Sequence, residues 1–186
     1  MRRMFSQESN YDHKAVSSMG AVGMGQMMPD TAAPYLAKYG YSSKDYMDNP
    51  QVQAFISSQH MQTLLHKYDG DWSRALAAYN GGDMAVNVAM KNGKWNPSDD
   101  PNSYYVQTRH YGAQILGVSP EEFERMVVTG TGPKANVKTP SEQTAADRDY
   151  YKKGVQSWSN YLMGDAMTGN SIFQNPMAAS QKIAGW

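Results

Sequence analysis

The stretch from residue 20 to residue 29 most constrains how this chain can fold. It reads Gly-Ala-Val-Gly-Met-Gly-Gln-Met-Met-Pro. Its three glycines permit positive φ angles and close approach of the backbone to neighbouring groups, which argues against a helix or a strand. Glu8 precedes this stretch, at the end of a short predicted helix whose Met4 and Phe5 face inward. We therefore expect a shaped loop beside one carboxylate, and we expect function there.

Charge and composition exclude several classes of protein. The 186 residues contain 17 basic and 17 acidic side chains. This balance predicts no binding to nucleic acid and none to an anionic membrane surface. The chain has no cysteine, which excludes disulfides and thiolate metal sites. We expect no metal and no cofactor, because no helical spacing brings together the four histidines, His13, His60, His66 and His110.

The ends and the hydropathy of the chain carry an expectation about export. No apolar run approaches the length of a membrane span. The first five residues lead into Ser6 without the apolar centre of a signal peptide. We therefore expect that the usual export route is not used.

The remaining pattern predicts short helices joined by short loops, and hence a mainly α domain. Proline opens the helix predicted from Pro29 to about Gly40, and apolar spacing predicts a long helix over 51–68. An alanine-rich helix over 72–79 breaks at Asn80-Gly81-Gly82 and is followed by another over 83–91. Two more helices are predicted, over 104–116 and 119–128.

The chain beyond residue 118 differs in composition from the part before it. We assign residues 119–140 to a short helix and a linker, because glycine, threonine, lysine and proline dominate after residue 128. Residues 141–186 are predicted to form a helical and irregular extension. One face of its helix carries an apolar stripe suited to docking on the main domain or on a protein partner: Tyr151, Val155, Trp158 and Leu162.

Three separated blocks of residues resemble one family of proteins. The first is Glu8-Ser9 followed by the glycine-rich loop and Met28-Pro29-Asp30-Thr31-Ala32, the second is Ala78-Tyr79-Asn80-Gly81-Gly82, and the third is Thr108-Arg109-His110-Tyr111. In order and spacing they resemble the soluble lytic transglycosylase (SLT) domain of peptidoglycan-cleaving enzymes. The resemblance implies a lysozyme-like, mainly α catalytic domain over residues 1–118.

The resemblance also implies a reaction. Glu8 would act as the single acid and base that cleaves the bond between N-acetylmuramic acid and N-acetylglucosamine, leaving 1,6-anhydro ends. For this its pKa would be raised by apolar neighbours, Met24, Met27, Met28 and Tyr79. The implied substrate-binding residues are Ser17, Gln26, Met28, Tyr79, Asn80 and Tyr111.

Each of these assignments has a simpler alternative. Ser17 and Gln26 could only tie down the loop, Asn80 could only hold a bend, and Tyr79 and Tyr111 could be packing residues. The chain also departs from the family pattern, which has Glu where Gln107 stands, Met where Gly25 stands and Val where Gly112 stands. A hydrolytic muramidase and a catalytically weak structural protein of a virion therefore stay open as alternatives.

The implied substrate lies outside the cytoplasmic membrane, so the expected lack of ordinary export requires another route. We expect a bacteriophage virion protein that is delivered to the host periplasm and opens the cell wall locally during DNA entry. A cargo of a secretion machine is the second possibility. In either setting, residues 141–186 would contact other proteins of the assembly.

Overall fold

The computed structural model describes residues 1–95 and 103–137. Within these residues it contains seven helices and no strand longer than a single bridge: α1 (Arg2–Ser9), α2 (Pro29–Tyr39), α3 (Ser43–Asp48), α4 (Pro50–Lys67), α5 (Trp72–Asn92), α6 (Tyr104–Leu116) and α7 (Pro120–Thr129). The predicted mainly α fold is confirmed. Over the same residues, no helix has the length and apolar character that crossing a membrane requires. The predicted extension over 141–186 lies outside the described residues.

Local sequence signals account for most helix ends. Asn49, Asp71 and Ser119 each accept a hydrogen bond from a first-turn backbone N–H of α4, α5 and α7. At the other ends of α2 and α6, Gly40 and Gly117 adopt left-handed conformations that a side chain would disfavour. These are the helix boundaries that the sequence predicts within one or two residues.

The helix α3 was not predicted. Ser42 and Asp45 form a complete capping box, in which each side chain bonds the backbone N–H of the other residue. The spacing Ser-x-x-Asp was a readable signal for a helix start. Its Tyr46 is buried, and this short helix thus brings a tyrosine towards the loop that precedes α2.

The helix α5 lies at the centre of the domain and packs against α4, α6 and α7. Alanines and Leu76 on its first half are fully buried, so neighbouring helices approach closely. Helical geometry is interrupted at Gly82, where φ is 65° and ψ is 170°. The predicted break after Tyr79 and Asn80 is therefore present, and it places these two residues in the last turn before the break.

The segment after Gly117 packs more closely than its sequence indicates. Phe123 and Val127 of α7 are fully buried in the common core. Beyond α7, the backbone of Trp72 donates to Pro133 O and that of Ala135 donates to Gly70 O. The described part of the predicted linker thus lies against the domain. Backbone pairing needs no large side chains, which is why composition alone indicated a linker.

Candidate active site

Glu8 lies in the last turn of α1, and the burial of Met4 and Phe5 on the same helix fixes it in place. The residue is half-buried. Burial raises the pKa of its carboxyl group to about 7, and the hydroxyl of Tyr111 partly opposes this rise. Near neutral pH the group therefore exists both as an acid and as a base.

A second carboxylate does not accompany it within the described residues. The influences on the Glu8 pKa come from burial and Tyr111, with no contribution from another acid. Asp12, its neighbour in sequence, is exposed and accepts a hydrogen bond from the Lys14 backbone at 2.8 Å. This part of the chain therefore offers one acid and no partner carboxylate.

Two tyrosines from different helices flank the acid. The ionic influence of Glu8 reaches both Tyr79 and Tyr111, whose own pKa values burial raises well above the usual range. The Tyr79 hydroxyl donates to Gly25 O at 2.8 Å. The Tyr111 hydroxyl is buried and meets no partner at hydrogen-bonding geometry, although it lies close enough to lower the Glu8 pKa. Hydrogen bonds of this kind commonly tighten when substrate binds.

The side-chain amide of a buried glutamine holds the backbone of the glycine-rich loop. Gln53 of α4 is fully buried; its Oε1 accepts from Met24 N–H at 3.0 Å, and its Nε2 donates to His13 O and Tyr46 O, both at 2.9 Å. Gly23 is needed here, because a Cβ at that position would lie 2.3 Å from the Gln53 amide. Ser9, next to the acid, donates to Met24 O at 3.1 Å and so joins α1 to the same loop.

Ser17 and Gln26 both tie down this loop. The Ser17 Oγ accepts from the Ala21 backbone at 2.9 Å. The Gln26 Nε2 donates to Gly23 O at 2.9 Å and to Ala15 O at 3.3 Å. The backbone of Gln26 has a φ of 44°, an unusual value for a residue with a side chain. Their predicted contacts with sugar stay predictions, and the loop-holding alternative describes the bonds that are present.

The other predicted residues are distributed between surface and core. Met28 is 43% exposed and thus offers apolar surface, whereas Met24 and Met27 are buried; their predicted effect on the Glu8 pKa stays a prediction. Asn80 is exposed, and its Oδ1 accepts from the buried Thr108 hydroxyl at 2.9 Å. Asn80 therefore links α5 to α6, and its predicted contact with sugar stays a prediction.

An aromatic group that the sequence did not indicate adjoins Tyr79. The ring of His60 lies 5.3 Å from that of Tyr79, and its Nδ1 is 3.0 Å from the Tyr35 hydroxyl. Burial lowers the His60 pKa, which favours the neutral imidazole. Each residue comes from a different helix, α2, α4 or α5, so no local spacing in the sequence could have grouped them.

The structure gives a physical reason for one departure from the family pattern. A Cβ at Gly112 would lie 1.9 Å from the Phe123 ring, so Phe123 fills the space that a valine at position 112 would occupy. Gln107 is exposed on α6.

Across residues 1–95 and 103–137, no three metal-binding side chains lie together.

Comparisons with known proteins agree with this geometry. A family model described as the transglycosylase SLT domain matches residues 2–101. Membrane-bound lytic murein transglycosylase D of Escherichia coli (strain K12) is 35% identical over 89 residues, which are 47% of this chain and 19% of that protein. Soluble lytic murein transglycosylase of the same strain is 30% identical over 89 residues, 46% of this chain and 14% of the relative. The chain thus spans a fifth or less of the length of these relatives.

The fold is also similar to a solved structure. The crystal structure of the 70 kDa soluble lytic transglycosylase from Escherichia coli aligns with a TM-score of 0.52 and 23% identity, covering 78% of this chain and 23% of that one. This confirms the predicted lysozyme-like fold. Because the family model covers more than half of the residues, and carries the acid and the loop described above, the chain belongs to the transglycosylase SLT domain family.

Proposed function

We propose that this domain is a peptidoglycan lytic transglycosylase in which Glu8 is the only acid and base. The observation that carries this proposal is a half-buried carboxyl group with a pKa of about 7 and no second carboxylate acting on it within the described residues. Glycosidases that use water ordinarily need two carboxylates. The named activity of the relatives, lytic murein transglycosylase, is consistent with a single carboxylate.

The reaction divides into two proton transfers at the same group. Protonated Glu8 gives its proton to the oxygen that links N-acetylmuramic acid to N-acetylglucosamine, and the bond from the anomeric carbon to that oxygen breaks. The acetamido oxygen of the muramic acid then bonds the anomeric carbon. Ionised Glu8 takes the proton of the 6-hydroxyl, whose oxygen displaces the acetamido oxygen and closes the 1,6-anhydro ring. No water enters the product.

The structure supplies conditions for both steps. Burial favours the protonated acid that the first step needs. The Tyr111 hydroxyl, buried and unpaired, would stabilise the carboxylate that the first step creates. Gln26 and Met28 belong to the loop, Ser17 bonds its backbone, and Asn80 precedes the break in α5; we expect the flanking sugars to bind along these residues.

The test is mass spectrometry of the muropeptides released from purified sacculi. We expect 1,6-anhydro products from the wild type and a loss on the order of 10³-fold in Glu8→Gln, the range seen for loss of a general acid. Asp12→Asn, which neutralises an exposed carboxylate four residues away, is the matched control and should keep full activity. Reducing ends in place of anhydro ends would instead establish a hydrolytic muramidase.

A catalytically weak virion component is the second candidate, and the neutral Gln107 favours it. If Gln107 limits turnover, Gln107→Glu should raise the rate of sacculus digestion. If the wild type is inactive and Gln107→Glu is inactive too, the domain serves as a structural or binding module.

We propose further that the protein acts as part of a bacteriophage virion that opens the host cell wall during DNA entry, with residues 141–186 binding other virion proteins. The apolar stripe from Tyr151 to Leu162 supports such contacts. Immunogold labelling of purified particles would test this proposal. Labelling confined to the bacterial envelope, with particles unlabelled, would contradict it.

A further inference from the structure

A buried serine hydroxyl lies next to Tyr79 on the side of α4. Ser57 is fully buried, and its Oγ meets no partner at hydrogen-bonding geometry. Leaving a buried hydroxyl unpaired destabilises the folded state. A polar group kept in such a place therefore needs an explanation, and nothing in the predicted site used it.

Ser57 occupies the space that a side chain at position 25 would fill. A Cβ built on Gly25 would lie 2.1 Å from Ser57 Oγ and 2.9 Å from the Tyr79 hydroxyl oxygen. Gly25 does not have the positive φ of Gly20 and Gly23, so space alone excludes a side chain there. The loop backbone, the Ser57 hydroxyl and the Tyr79 hydroxyl thus converge at one point.

The Ser57 hydroxyl acts on two tyrosines. Burial raises the pKa of Tyr79 well above its usual range and that of Tyr46 to about 12, and in both cases the Ser57 hydroxyl opposes the rise. A group that favours the phenolate does so by donating a proton towards the phenolic oxygen. The serine has one hydroxyl proton and can donate it to one tyrosine at a time, and the approach at Gly25 puts its oxygen near that of Tyr79.

Tyr79 has only acceptor capacity left for a neighbour. Its single hydroxyl proton is already donated to Gly25 O at 2.8 Å. A donor such as Ser57 is the partner that complements it. We propose that Ser57 is a positioning residue of the active site, whose hydroxyl donates to Tyr79 and holds that tyrosine against the loop beside Glu8.

This inference rests on the proposed function, since it concerns the geometry around the acid. The chain of hydroxyls from Ser57 through Tyr79 to Gly25 O joins α4, α5 and the loop. Without the serine hydroxyl, Tyr79 loses its hydrogen-bonded link to α4 and keeps only its hydrogen bond to Gly25 O. The surroundings of Glu8 then become less ordered, which lowers kcat and leaves KM nearly unchanged.

A double-mutant cycle tests whether Ser57 acts through Tyr79. The variants are Ser57→Ala, Tyr79→Phe and the two together, assayed for kcat and KM on a defined glycan strand. We expect Ser57→Ala to lower kcat roughly tenfold in the wild-type background, the size of coupling found between contacting residues of one network. In the Tyr79→Phe background the same change should have almost no effect. An equal loss in both backgrounds, or no loss in either, would overturn the proposal.

Ser58→Ala is the matched control. Ser58 is the next residue of the same helix, is half-buried, and its hydroxyl donates to Ala54 O at 2.7 Å. The Ser58→Ala variant loses a hydroxyl group of the same kind, one that is bonded to Ala54 O and not to Tyr79, and its kcat should be unchanged. Thermal unfolding of each variant verifies that the measured protein is folded.

A readout independent of turnover separates this inference from the proposed function. In protein labelled with carbon-13 at the tyrosine ring carbon that bears the hydroxyl, the Tyr79 resonance should move or broaden in Ser57→Ala and stay in place in Ser58→Ala. An inactive wild type would contradict the proposed function while this signal still reports on Ser57. An unchanged Tyr79 resonance in Ser57→Ala would contradict the positioning role.

Discussion

Glu8 and Asp71 are both carboxylates withdrawn from solvent, and their surroundings are opposite. Asp71 is fully buried at the start of α5, where it accepts from the Ser73 backbone at 2.9 Å, the Ser73 hydroxyl at 2.5 Å, the Arg74 backbone at 3.2 Å and the Lys134 ammonium group at 3.3 Å. Glu8 is buried less, and the Tyr111 hydroxyl near it is not at hydrogen-bonding geometry. One carboxylate is supplied with donors, and the other is not.

The difference separates an acid that holds the fold from an acid that can react. The donors around Asp71 hold its carboxylate in one geometry. Burial without donors around Glu8 keeps its two protonation states close in free energy at neutral pH, which proton transfer in both directions requires. Burial alone therefore does not distinguish the two carboxylates; the number of donors around each one does.

The largest expected effect concerns Glu8 and stability. Its folded pKa of about 7 lies above the usual 4.5, so its contribution to stability is fully present below pH 4.5 and is lost as pH rises to about 7. Glu8→Gln removes this loss. The free energy of unfolding of the variant minus that of wild type should be about 3 kcal/mol larger at pH 8 than at pH 4. Urea unfolding at both pH values measures it, and an equal difference at the two would contradict the raised pKa.

Asp71→Ala should lower the free energy of unfolding, whereas Glu8→Gln should raise it at high pH. The change removes the cap of α5 and the partner of Lys134, and we expect a loss of about 2 kcal/mol in free energy of unfolding. Activity per folded molecule should stay near that of wild type. Asp48→Ala, which removes an exposed carboxylate paired with Lys44, is the control and should lose much less stability than Asp71→Ala. A similar loss in both variants would show that burial of Asp71 adds nothing.

Tyr111→Phe examines the weak donor beside Glu8. The Tyr111 hydroxyl favours the ionised acid, so its removal raises the Glu8 pKa further. The proposed first step needs protonated Glu8, so kcat/KM should fall as pH rises through this pKa. The falling limb of the pH profile should therefore move to higher pH in the variant. A limb that stays in place, or moves to lower pH, would contradict the assigned role of Tyr111.

The smallest effect is expected at Lys134. Its side chain is 52% exposed, and its bond to Asp71 is the longest of the four. Lys134→Ala should lower the free energy of unfolding by less than about 1 kcal/mol, because the three donors on α5 remain. Chemical denaturation measures this difference. A loss as large as that of Asp71→Ala would mean that Lys134, rather than the helix cap, provides most of the stabilisation at Asp71.

Sequence patterns predicted much of the fold because its helix signals are local. Glycines and caps lie within a few residues of the helix ends that they determine, as at Gly40 and Ser119. The break at Gly82 was predictable for the same reason. The packing of residues 131–137 on α5 was not, because it depends on backbone groups of Gly70 and Trp72 that are about 60 residues away in sequence.

Some residues of the candidate site could be predicted from local motifs, and others could not. Glu8, Tyr79 and Tyr111 belong to motifs that can be quoted from the sequence, and the structure brings these three together. Gln53 and Ser57 belong to no motif of this kind. They are polar residues within a helix, where a polar residue ordinarily faces solvent, and only the tertiary structure turns them towards the loop.

The close approach at Gly25 also constrains the order in which this site can change over evolution. A side chain gained at position 25 while Ser57 is present would overlap the serine hydroxyl, as the 2.1 Å approach requires. The same gain after Ser57 has become glycine would meet more open space. The two positions are thus coupled, and Tyr79 is a third member of the group, because its hydroxyl oxygen would still lie 2.9 Å from a Cβ at position 25.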